Sequence, residues 1–172
     1  PTRTGYTFDG WTVAGNGITQ TDNGTSTTFT KNQTGNMTIT ANWTPIPYKQ
    51  IVKVRYQNAD GTWGNYSDVI NANYNYGSTV SWSRAADATY KAASISYTVT
   101  GANTKYVSVY RNTYLQIVKV RYQNADGTWG NYSDVINANY LYGSTVAWSR
   151  AADATYKAAS ISYTVTGANT KY

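Results

Sequence analysis

The only acids in this chain are eight aspartates, and no histidine or cysteine stands beside them. A Ser-His dyad, a thiolate nucleophile and a histidine-based metal centre are all excluded on residue types alone. Paired carboxylates remain as a chemistry to weigh, since two of them suffice for glycoside hydrolysis. Asp9, Asp22, Asp60, Asp68, Asp87, Asp126, Asp134 and Asp153 are isolated or stand at turns, however, and Asp60-Gly61 reads as a turn. Asn58-Ala59-Asp60 lacks the dense acidic spacing of a calcium loop. The expectation is a non-enzymatic protein with no metal and no cofactor. A Lys–Asn isopeptide crosslink needs a lysine, an asparagine and a nearby buried acid, which no linear motif specifies, so it stays open.

Aromatic side chains are the other chemistry on offer: 18 Tyr and 6 Trp against 2 Phe. Trp63 and Tyr66, beside the Asp60-Gly61 turn, and their later copies Trp129 and Tyr132 are the candidate ligand-binding residues, able to stack on sugar rings. The competing demand is the core, because small modules need their large side chains inside. Burial of Trp63 and Trp82 is the favoured expectation. The net charge of +6 is spread over single residues such as Lys53, Arg55, Arg84, Lys91, Lys105 and Arg111, without Lys/Arg runs. That pattern argues against nucleic acid and is compatible with weak attraction to glycans or anionic wall polymers.

These residues are positioned by a repeat. Gln50–Tyr106 is written again as Gln116–Tyr172, and only Asn75, which becomes Leu141, and Ser81, which becomes Ala147, differ. The organisation read from this is a partial module at 1–45, a linker at 46–49, copy 1 at 50–115 and copy 2 at 116–172, the last without a closing strand. Fresh tandem copies add reach or avidity and seldom serve a catalytic centre. Units this short bury a modest share of their surface, and with no cysteine they have no disulfide to compensate. A position that accepts both Asn75 and Leu141 is expected to be exposed or at a boundary between units.

Alternation places strands at Tyr6–Trp11 and Met37–Trp43 with an irregular loop between them. In the repeat it places strands at Ile51–Gln57, Thr62–Ile70, Ser78–Trp82, Ser94–Thr100 and Tyr106–Tyr110, with turns at Asn58–Gly61, Asn71–Gly77 and Gly101–Asn103. The one helical candidate is Arg84–Ala93, which Ser83 can cap and Asp87 and Lys91 can brace; a helical turn inside a loop fits as well. The fold class is mainly β, in tandem small modules with at most one short helix each.

PTRTGYTFDGW followed by GNMTITANWTP in residues 1–45 resembles the Listeria–Bacteroides repeat, the B-repeat of internalin-type surface proteins. The resemblance covers the C-terminal half of such a repeat and implies a β-grasp-like module in an extracellular bacterial surface protein. It also implies an open sheet edge, a template for another strand. Residues 50–172 are more distantly similar to divergent B-repeats or mucin-binding-protein-type repeats: they lack the PTR-GY-F-GW signature, while Asn75–Val80 looks like the second-strand motif. No apolar run reaches the ~20 residues of a membrane span, and a start without Met reads as an excised segment. The function expected is a stalk or fibre region of a surface adhesin or filament, partnered by other repeats head to tail or by strand donation. The alternative is glycan or wall-polymer binding.

Overall fold

The computed structural model describes residues 1–24 and 26–172, and these form β-strands and turns with no helix. The chain divides into two compact units, one of residues 1–50, 72–80 and 97–103, the other of residues 51–71, 81–96 and 104–172.

In the first unit, β1 (Tyr6–Ala14) pairs antiparallel with β4 (Thr38–Pro45), Tyr6 lying opposite Pro45 and Ala14 opposite Thr38. A bulge between Phe8 and Gly10 adds one residue to β1. Three positions apart, Phe8 and Trp11 belong on opposite faces of a regular strand; the extra residue brings them to the same one. Their rings meet edge to face at 5.2 Å, Trp43 approaches Phe8 at 5.2 Å and Phe29 approaches Trp11 at 5.8 Å. Phe29 comes from a hairpin where an irregular loop was expected: β2 (Ile18–Asp22) pairs with β3 (Thr27–Lys31). The Asp22 carboxylate accepts the Gly24 N–H at 3.0 Å and the Asn23 side chain accepts the Ser26 N–H at 2.8 Å, which lets the strands return.

Of the four residues read as a linker, only Ile46 lies outside a strand, because β5 (Pro47–Tyr56) starts at once. Pro47 is tolerated as the first residue of a strand, where a missing N–H costs no ladder bond. Copy 1 continues with β6 (Ser67–Asn75), β7 (Thr79–Arg84), β8 (Ala93–Thr98) and β9 (Asn103–Val109), in sheet orders β6-β5-β9 and β7-β8.

Copy 2, wholly inside the second unit, has the same plan. β10 (Thr113–Val120) pairs antiparallel with β11 (Ser133–Leu141) and parallel with β14 (Asn169–Lys171), while β12 (Thr145–Arg150) and β13 (Ala159–Thr164) form a hairpin. A hairpin followed by a parallel return is the sheet order of a β-grasp, and β12–β13 occupy the place in the chain where that fold has its helix. By the repeat's register β14 corresponds to Asn103–Lys105, the first three residues of β9.

Valines make the core. Val118, Val146 and Val165 are buried, with Tyr114, Ile136, Tyr140 and Ile161 packed against them. Their copy 1 counterparts Val52, Val80 and Val99 are buried too, whereas Trp63 and Trp82 are only half-buried, against expectation. One glutamine of each copy is fully buried. Gln116 donates to the carbonyl of Gly167 and Gln50 to that of Gly101, each at 2.7 Å, tying the first strand of a copy to its last turn.

Two further expectations fail for local reasons. The second strand starts at Ser67, not Thr62: Trp63 makes only an isolated bridge with Gln57, and Asn71–Asn75, read as a turn, belongs to β6. Arg84–Ala93 forms no helix. Asp87 Oδ1 takes the N–H groups of Thr89 and Tyr90 at 2.8 and 2.7 Å, and its other oxygen pairs with the Arg84 guanidinium. A side chain that satisfies those donors locally removes their need of a helical carbonyl.

Candidate functional site: aromatic clamps and inter-module junctions

The four candidate residues gather, two per copy, around an arginine that the sequence reading had not assigned to the site. Arg55 stands on the basic face of β5, its guanidinium 4.6 Å from the Trp63 ring and 4.8 Å from the Tyr66 ring, and Nε donates to Ser108 Oγ at 2.9 Å. In copy 2, Arg121 lies 4.8 Å from Trp129 and 4.9 Å from Tyr132. A guanidinium over an aromatic face is attracted by the ring quadrupole. The signal was the alternation of Lys53 and Arg55, which places both on one strand face.

The two clamps differ in cover. Tyr110 packs edge-on against Trp63 and Tyr106 against Tyr66, both at 5.0 Å. Tyr172 repeats the second contact on Tyr132 at 5.2 Å. Trp129 is 54% exposed and edges a groove of about 920 Å³ that also takes in Trp148, Arg150, Tyr156 and Tyr172. The groove thus has an aromatic lining and a basic rim.

On the same strand face, Lys53 donates to Asp68 at 2.6 Å and Asn71 to the other oxygen of Asp68 at 2.7 Å; Lys119, Asp134 and Asn137 repeat this at 2.7 and 2.9 Å. Lysine, asparagine and acid are thus together, yet the paired side chains are about one-third exposed. The hydrogen bond to the carboxylate raises the pKa of each lysine and holds it protonated. A charged, hydrated amine is a poor nucleophile, so this is the geometry of an ion pair and not of an isopeptide crosslink. Among the described residues no three acids, histidines or cysteines cluster as a metal site, and no helix is long and apolar enough to cross a membrane.

The junctions between modules are built twice from the same parts. In the first unit, the Ile46 N–H donates to the Gly5 carbonyl at 2.8 Å and the Tyr76 N–H to the Ile46 carbonyl at 2.9 Å, with the Tyr48 and Tyr76 rings 6.5 Å apart. In the second, Asn112 replaces Ile46: its N–H donates to Thr89 at 2.9 Å, its carbonyl accepts from Tyr142 at 2.9 Å, and Tyr114 and Tyr142 lie 6.2 Å apart. Tyr6 faces Pro45 across the first junction as Tyr90 faces Arg111 across the second. Only the fillers differ. At the first junction Tyr76 lies flush against Gly5, where φ is +79° and an added Cβ would fall 2.1 Å from the ring. At the second, Arg111 donates to the carbonyls of Gln57 at 2.9 Å and Tyr142 at 2.8 Å, and a Cβ on Gly143, where φ is +78°, would lie 3.1 Å from that guanidinium, a tight contact.

Small all-β modules joined by one recurring junction define a tandem-repeat protein. Residues 2–47 match the family of the divergent InlB B-repeat domain, in agreement with the motifs at Pro1–Trp11 and Gly35–Pro45. No curated protein and no solved structure matches the chain. Tyr90 and Arg111 form an isolated bridge where Tyr6 and Pro45 pair in the first module.

Proposed function

We propose that this chain is a non-enzymatic stalk or fibre segment of a bacterial cell-surface adhesin, extracellular, whose partners are further repeats of its own kind. The observation that carries the reading is the reuse of one junction: Ile46 between Gly5 and Tyr76, Asn112 between Thr89 and Tyr142. A backbone connection that exchanges hydrogen bonds with both modules leaves little freedom in the step, so each added copy contributes a set length. The B-repeat match of residues 2–47 supports the surface assignment. The test is small-angle scattering on proteins carrying two, three and four copies. The maximum dimension rises by a constant increment per copy; a dimension that grows as the square root of copy number, as for a flexible string, rejects the stalk.

One observation favours a second reading. Trp129, Tyr132 and Arg121 border an open groove, an arrangement suited to glycans or anionic wall polymers. A glycan array and a pull-down on purified wall polymer distinguish the two, since a spacer gives nothing above background.

A further inference from the structure

Tyrosine outnumbers phenylalanine 18 to 2, so nearly every single-ring side chain that packs also brings a phenol. Several Tyr–Tyr contacts are closed in. Tyr6 and Tyr76 at 5.8 Å, Tyr48 and Tyr76 at 6.5 Å and Tyr56 and Tyr90 at 5.1 Å join half-buried residues, and Arg84 and Arg111 both lie over the Tyr90 ring. Tyr66 and Tyr106 differ. Their rings stand 5.0 Å apart, edge to face at 73°, yet the two residues are 37% and 60% exposed.

The pair lies across the central strand of its sheet. Tyr66 immediately precedes β6, Tyr106 is in β9, and β5 runs between those two strands. Arg55 of β5 holds the arrangement, its guanidinium 4.8 Å from the Tyr66 ring while Nε donates to Ser108 of β9 at 2.9 Å. The repeat's own sequence sets this geometry, since Tyr132 and Tyr172 meet at 5.2 Å and 74° with Arg121 4.9 Å from Tyr132.

We propose that Tyr66 and Tyr106 form a modification site, at which a one-electron oxidant of the peroxidase class, acting with hydrogen peroxide, joins the two rings as dityrosine. Each phenol gives up one electron and its O–H proton, and the two phenoxyl radicals form a carbon–carbon bond between ring positions ortho to the oxygens. The proton on each coupled carbon then transfers through water to its oxygen and restores the phenol. The net loss is two electrons and two protons, which convert one peroxide to two waters. Exposure matters twice: it admits the oxidant, and it leaves the side chains free to swing on the ps–ns timescale from edge-to-face into the alignment that coupling needs. Adjacency makes the coupling intramolecular, which favours it over a collision between two chains. The bond ties the segment before one edge strand to the other edge strand over β5, and restricts the unfolded chain as a disulfide would in a protein without cysteine. The inference goes beyond the stalk reading and does not depend on it.

The test is treatment of the dilute full chain with a haem peroxidase and hydrogen peroxide, followed by intact mass and peptide mapping. The monomer is expected to lose the mass of two hydrogens per crosslink and to gain dityrosine fluorescence. Trypsin then releases residues 56–84 joined to residues 106–111, and fragmentation places the bond at Tyr66 and Tyr106. Asn75 and Ser81 distinguish the first of these peptides from its copy 2 counterpart, which carries Leu141 and Ala147. Tyr66→Phe and Tyr106→Phe each keep a ring in place and each abolish this product, whereas Tyr48→Phe retains it. Oxidised chains without an intramolecular crosslink, or crosslinks formed chiefly between molecules, overturn the proposal. So does a 56–84 to 106–111 product that survives Tyr66→Phe. None of these outcomes alters the scattering increment per copy, so the stalk is judged separately.

Discussion

Arg111 holds Tyr142 by its backbone: Nη1 donates to the Tyr142 carbonyl at 2.8 Å while Nε, at 2.9 Å, holds the carbonyl of Gln57 in the preceding copy. One guanidinium thus spans the step between copies with directed bonds from separate nitrogens. Arg111→Ala is expected to cost about 2 kcal/mol in chemical denaturation, the scale of hydrogen bonds made by a charged group. Arg111→Lys recovers less than half of that, since a lysine's point charge cannot reproduce the planar fork.

Leu141 is one of the two residues that distinguish the copies, and its Cδ1 lies 3.8 Å from where a Cβ on Gly61 would stand. It is half-buried, while Asn75 is exposed. Leu141→Asn should lower stability by about 1 kcal/mol, a partial burial term. Asn75→Leu should change it by less than about 0.5 kcal/mol, as surface substitutions do. Equal effects in paired thermal melts would show that the neighbours of the two copies do not explain the difference.

Gly5→Ala forces a methyl into the Tyr76 ring at a φ of +79°. The expected cost is above about 2 kcal/mol, combining overpacking with a backbone penalty. Gly101→Ala is the control, because an added Cβ there meets nothing within 4 Å. Calorimetry of the two proteins separates a junction defect from a general effect of losing glycine.

Stability should be flat across roughly pH 5 to 8, since no histidine or cysteine side chain is present to titrate there. Asp87 and Asp153 are held below the ordinary value of 3.8, chiefly by the N–H groups of Tyr90 and Tyr156. Asp60 and Asp126 are lowered by the Thr62 and Thr128 hydroxyls, and Asp134 by Lys119. A carboxylate with a depressed folded pKa adds stability above its unfolded value and loses it as pH falls through the folded one. The melting temperature therefore begins to fall as pH drops below about 5 and continues to fall through the folded pKa values. Lys53 and Lys119, raised above 10.5 chiefly by Asp68 and Asp134, add stability below that value and lose it as pH rises through their folded pKa. The aspartates are exposed and the two lysines about one-third exposed, so both flanks are shallow and flatten further in salt.

Intact mass of the purified protein should equal the sequence mass, with no loss of ammonia. Lys53 and Lys119 are charged and solvated beside Asp68 and Asp134, the opposite of the dry site an isopeptide bond requires. A mass short by one ammonia or more would reverse that conclusion.

The repeat, the mainly β character and the absence of histidine and cysteine follow from residue order and residue type, and each was legible without coordinates. Alternation locates a strand because side-chain direction has a period of two, and Asp-Gly locates a turn because Gly61 can adopt a φ of +88°. The B-repeat motif was likewise a matter of local spacing.

Tertiary structure alone decided which aromatic rings face water, that Arg55 and Arg121 complete the clamps, and that Ile46 and Asn112 serve one junction. Ring exposure depends on neighbours distant in sequence: Trp63 is half-buried against Tyr110, and valines rather than tryptophans fill the core. Asp87 had a place in a helix pattern and took instead a turn with Arg84, because a carboxylate near free N–H groups competes with the helix for them. Pattern reports what a segment can do by itself; which groups satisfy one another across the chain is known only once it has folded.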